Sequence, residues 1–116
     1  TQDHFNSNKT YKNLLQLLTK ALETKNYNVL LNASTEGMEL YPAQPLIYIF
    51  NAKALNNGAK YNEAITVLSI GIDFVIDEPK VLQLLYNEFI NAYNGLNNLK
   101  EAEKYKLKIK RLKQKS

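Results

Sequence analysis

The stretch "NEFINAYN", residues 87–94, places Asn87, Asn91 and Asn94 four and three residues apart. On a helix that spacing forms one face. A carboxamide both donates and accepts hydrogen bonds, which suits such a face to a peptide backbone. Reactive chemistry is harder to assemble from this chain. His4 is the only histidine and lies in a polar leader, "TQDHFNSNK", where a surface role is expected of it. There is no Cys, so thiolate nucleophiles, thiolate metal sites and disulfides are excluded together. Asp73, Asp77 and Glu78 cluster just ahead of Pro79. Acids in that place read as helix-start chemistry rather than as an acid–base pair. No Gly-rich phosphate loop, nucleophile elbow or metal-ligand spacing occurs, so no cofactor or metal is expected. Asn8-Lys9-Thr10 and Asn32-Ala33-Ser34 fit the glycosylation pattern, but a chain with fifteen Asn generates that pattern freely.

The elements that would position the carboxamides are helices. The chain has 116 residues, 45% of them hydrophobic and 22% charged, an ordinary globular composition for one domain. Its longest apolar stretches are broken well before the ~18 residues that a membrane span needs. It begins at Thr1 rather than Met, so a removed targeting segment would be invisible, and compartment is left open. The net charge of +4 is uneven: residues 1–99 carry seven Lys against nine acids, whereas residues 100–116 carry seven Lys and Arg111 against Glu101 and Glu103. The body is slightly acidic and the basicity is one terminal feature, which argues against a general nucleic-acid surface.

Helical periodicity is clear in "TYKNLLQLLTKALET", where Leu14, Leu17, Leu18 and Ala21 share a face, and in "PLIYIFNAKAL". It recurs in "VLQLLYNEFINAYNGL", with Leu82, Leu85, Phe89 and Tyr93 as a stripe. The breaks "TKN", "YPAQP", "NNGAK", "DEPK" and "GLNN" are short clusters of helix-ending residues. Six helices joined by loops short enough to make neighbours antiparallel result. "ITVLSIGIDFVI" reads locally as a strand, being rich in β-branched residues. One strand among five helices would have no partner, so helix is the expectation there too.

The chain also repeats itself. At a step of thirty-four residues Tyr27 meets Tyr61, Asn28 meets Asn62 and Gly37 meets Gly71, with Leu31 on Ile65, Thr35 on Ser69 and Leu40 on Phe74. At thirty-eight, Tyr48 meets Tyr86, Asn56 meets Asn94 and Glu63-Ala64 meets Glu101-Ala102. The four extra residues fall around "VIDEPK", where the second helix of the middle unit is expected to run one turn longer. A helical hairpin repeated at thirty-four residues has the period of the tetratricopeptide repeat, and the residues resemble that family. Tyr48 matches its early aromatic and Ala52 its small residue, while "YNEAI" with Ala64 matches the start of the second helix. The first unit keeps Tyr27, Gly37 and Pro42 but has Leu18 and Leu30 at small positions; the third keeps Tyr86, Tyr93 and Ala102 but has Ile90.

The resemblance implies an all-α, right-handed stack of three antiparallel helical hairpins, a TPR-like α-solenoid. Its units would be 11–44, 45–78 and 83–116, within a domain of 10–113 between a flexible leader, 1–9, and a tail, 114–116. The rival architecture is a non-repetitive six-helix bundle. The resemblance further implies a non-enzymatic module that binds a peptide or partner protein in a concave groove lined by the first helix of each unit. Carried onto this chain, the groove is Lys12, Leu15 and Thr19, then Leu46, Ile49, Lys53 and Asn56, then Leu84, Asn87, Asn91 and Asn94. A carboxylate clamp of the kind some members use is not expected, because its positions hold Leu15, Thr19, Phe50, Leu84 and Glu88. From another class, a small helical enzyme or ligand carrier with a pocket between helices is the alternative.

The basic end, "KEAEKYKLKIKRLKQKS", has Ala102, Tyr105, Ile109 and Leu112 on one side and lysines elsewhere. It reads as a solvated capping helix that could also meet an acidic partner or anionic lipid. Nucleic acid is not expected, since no aromatic beyond Tyr105 interleaves the charges.

Overall fold

In a computed structural model, residues 7–115 are described, and they form six helices with no strand among them. These are α1 (Ser7–Glu23), α2 (Tyr27–Leu40), α3 (Pro45–Asn57), α4 (Tyr61–Gly71), α5 (Pro79–Gly95) and α6 (Leu99–Lys115). Helix α1 begins inside the expected leader, and α6 runs into the expected tail. The rest of the leader, His4 included, lies outside the described residues.

Each helix packs on its chain neighbour, and α3 also meets α5 directly. The body is elongated, 49 × 32 × 23 Å. Two cores result. Leu18 and Ala21 of α1, Leu30 of α2 and Ala54 of α3 form the smaller one. Leu55, Ala64, Leu68, Leu85, Phe89 and Ala92 belong to the larger, with Tyr105 of α6 packed against it. Helix α3 contributes to both. Leu17, expected to share the buried face of α1, is 46% exposed.

The turns within the three hairpins are the same turn. Lys25, Ala59 and Asn97 have φ of 57°, 59° and 60°. The next residue closes it by donating to a carbonyl five residues back: Asn26 to Ala21, Lys60 to Leu55 and Asn98 to Tyr93, each at 2.8 Å. This is the Schellman closure, which satisfies carbonyls that a helix end would otherwise leave bare. The left-handed residues are thirty-four and thirty-eight apart, the two steps of the sequence repeat. Asn26 and Asn98 then cap the following helices, Oδ1 accepting from the Val29 and Glu101 amides at 3.3 Å. Part of the asparagine content thus has a local cause.

None of the three left-handed positions is glycine; Gly58, one residue early, has φ −85°. A side chain at positive φ costs about 1–2 kcal/mol, partly offset by the entropy glycine loses on folding. Ala59→Gly is therefore expected to stabilise the chain by about 0.5–1 kcal/mol, read as a rise in the urea midpoint at unchanged slope.

The strand-like segment is helical to Gly71, then a 3₁₀ turn, Ile72–Phe74. The middle unit's second helix does not run a turn longer, as its extra residues suggested; it ends early. Pro79 disfavours helix at the residue before it, Asp77 takes φ 53°, and the added residues become connector. Helix α5 starts with Pro79 in its first turn, but no side chain from Asp77 or Glu78 caps it.

Beneath the surface, Asn51 Nδ2 donates to Ser34 Oγ (3.0 Å) and Thr35 Oγ1 (3.1 Å), a polar tie between α2 and α3. Ser34 is fully buried, so the Asn32 glycosylation pattern lacks an accessible hydroxyl.

Candidate functional site

The direct contact of α3 with α5 brings Lys53, Asn56, Glu88 and Asn91 to one cleft of about 350 Å³, with Tyr27 and Tyr61 on its walls. Lys53 and Asn56 are three apart on α3, and Glu88 and Asn91 three apart on α5, so each pair shares a helical face. Glu88 organises them. Its Oε2 accepts from Lys53 Nζ at 2.8 Å, and its Oε1 accepts from Asn56 Nδ2 at 3.1 Å and Asn91 Nδ2 at 3.2 Å. Asn56 Nδ2 also reaches the Glu88 backbone carbonyl at 3.1 Å.

The Glu88 side chain is 5% exposed and that of Lys53 28%. A carboxylate taken this far from water needs its lone pairs satisfied, and three side-chain donors do so. Being saturated, it is poorly placed to act as a general base. The bonds fix the Asn56 amide with nitrogen toward Glu88, which leaves Oδ1 buried and without a partner among the described residues. The cleft thus holds an unused acceptor beside a neutralised ion pair.

The expected groove residues do not all meet there. Lys53, Asn56 and Asn91 do. Asn87 and Asn94 are exposed on the same side of α5, beside Leu84 at 43% exposure. Lys12, Leu15 and Thr19 line a separate hollow on α1 with Gln16 and Lys20. Leu46 is partly buried against the larger core. Ile49 is a correction: at 2% exposure it belongs to that core and offers no surface. It lies one turn before Lys53, but α5 covers that end of the face.

Glu88 stands at the centre of this network, where the resemblance implies only a position unsuited to a carboxylate clamp. A signal was available, since it is the one acid among the apolar residues of α5 and stands next to Phe89.

Four tyrosines have their phenols raised above 10.0, chiefly by burial: Tyr11, Tyr86, Tyr93 and Tyr105. They serve packing. Tyr105 stacks on Phe89 with ring centroids 4.5 Å apart. Among the described residues, no group of three or more His, Asp or Glu could hold a metal, and no helix is long and apolar enough to cross a membrane. No family model matches the chain, and no curated protein is similar to it in sequence.

Proposed function

We propose that this chain is a non-enzymatic protein-interaction module: a TPR-like stack of three hairpins that binds an extended peptide along α3 and α5. The observation that carries this reading is the face those two helices share. It is open and is furnished with the carboxamides of Asn87, Asn91 and Asn94, beside the cleft that Lys53 and Asn56 line. Carboxamides in a row meet the alternating N–H and C=O groups of a peptide without requiring one side-chain sequence. The common turn at residues 25, 59 and 97 supports the repeat architecture.

The test must spare the Glu88 network, so Asn91 is left in place. Peptides are selected from a random display library on the purified chain and their affinities measured by calorimetry. Against Asn87→Ala/Asn94→Ala, affinity is expected to fall about tenfold, two lost hydrogen bonds of roughly 0.5–1.5 kcal/mol each. The melting temperature should stay unchanged, because both side chains are exposed. A library that yields no binder, or binders indifferent to the double change, overturns the groove.

A further inference from the structure

A second cleft, of about 290 Å³, lies away from the Glu88 site, between α5 and α6. Leu82 and Tyr86 line it from α5, and Lys108, Arg111, Leu112 and Lys115 from α6. Steps of three and four put the α6 residues on one face of that helix. Three cations and no acid face this hollow. The two acids of α6 are engaged elsewhere, Glu101 with Lys104 at 3.7 Å and Glu103 with Lys106 at 4.0 Å. Among the described residues no ion pair engages Lys108, Arg111 or Lys115.

The chemistry of the cleft narrows its occupant. Ala102, 1% exposed, and Tyr105, Ile109 and Leu112 turn the main apolar side of α6 inward, and the exposed Leu99 and Leu107 are too few for the continuous apolar face that a bilayer needs. Nucleic-acid bases would need free aromatic faces. Here the Tyr86 and Tyr105 rings lie 5.6 Å apart, and Tyr105 is stacked on Phe89. An apolar floor under cations that include a forked guanidinium suits a peptide that alternates anionic and apolar side chains.

We infer that this cleft binds an acidic peptide segment of a partner, its anionic groups held between Lys108, Arg111 and Lys115 and an apolar side chain lying over Leu82 and Leu112. The site is distinct from the α3–α5 groove and does not depend on it. The anion is a carboxylate of Asp or Glu or the phosphate of a phosphorylated serine, since both match the same donors.

Fluorescence anisotropy on the full chain tests this with three labelled short peptides: alternating Glu and Leu, the same with phosphoserine for Glu, and the same with Gln. Saturable binding is expected for at least one anionic peptide, and which one binds identifies the anion. Lys108→Gln/Arg111→Gln should weaken it about tenfold or more. Lys100→Gln/Lys110→Gln, which removes the same charge from elsewhere on α6, should change it less than about threefold, as expected of exposed charges acting at a distance. Bound peptide should shift the backbone amide resonances of Leu82, Tyr86 and Leu112. Equal loss in both variants, equal binding of the Gln peptide, or no saturable binding by either anionic peptide overturns the site. Binding to phosphatidylserine vesicles in preference to both anionic peptides overturns it as well.

Discussion

Glu88→Ala is expected to destabilise the chain by about 2–4 kcal/mol, a fall in Tm of about 10 °C or more. The carboxylate accepts from Lys53, Asn56 and Asn91, so its removal costs more than one contact. The Lys53 ammonium loses its counter-charge in a partly desolvated place, and a buried amide donor is left with the Glu88 carbonyl alone. Partial exposure of Lys53, at 28%, lets water recover some of the loss and keeps the estimate below the ~5 kcal/mol that a fully buried broken pair can reach. Replacing both members, Lys53→Met with Glu88→Leu, should recover most of the stability, because well-packed apolar groups are often equivalent to a buried ion pair. Thermal melts of the two variants separate the cases. A Glu88→Ala melt within about 2 °C of the parent would show that the network does not hold α3 to α5.

The second large effect is steric and separates two glycines that the sequence repeat makes equivalent. A Cβ on Gly71 would lie 2.7 Å from Tyr48 Cβ and 3.0 Å from its Cγ. Those atoms sit close to the α3 backbone and cannot swing aside. Tyr48 is further fixed by its hydroxyl, which donates to the Pro42 carbonyl at 2.6 Å. Gly71→Val, which adds two further carbons, is expected to cost about 3 kcal/mol. On Gly37 the nearest atom would be Leu14 Cδ2 at 2.7 Å, the free end of a flexible side chain, followed by Ile47 Cγ2 at 3.2 Å. Gly37→Ala should therefore lie within about 1 kcal/mol of neutral, since the gain in helix propensity is of that size. Urea unfolding of both variants checks the contrast. Equal losses would mean that the two hairpins pack alike at these points.

That contrast shows what could be read from the residues. Apolar stripes and punctuation located six helices, and the absence of any partner strand excluded a strand at "ITVLSIGIDFVI", which is α-helical as far as Gly71. The length of that helix is not legible, because inserted residues say where the chain is longer and not whether the extra turn is helical. Of the cleft, Asn91 was legible from its spacing with Asn87 and Asn94, and Lys53 and Asn56 only from what the resemblance implies. Glu88 and Ile49 were not. Periodicity assigns a residue to a face only to within about 100° of rotation. Whether a flanking position is open or covered depends on how a helix distant in sequence crosses it. Here α5 lies on α3, burying Ile49 and drawing Glu88 inward beside Asn87, which stays exposed.

The division of the interior into two cores that share α3 bears on the order in which the molecule comes apart. The smaller core joins α1 and α2 to α3 through Ala54 and Phe50, with the Asn51 tie beside them, and Leu31 of α2 packs on the larger core as well. Opening of the first hairpin would strip Leu31 from the larger core but keep together its buried residues, which all lie on α3, α4 and α5. Such an opened form would bare one side of α3 and leave the Glu88 cleft without its Leu22 and Tyr27 walls. Whatever binds that cleft would then also act as a latch on the amino-terminal third, coupling occupancy to how often that third lets go.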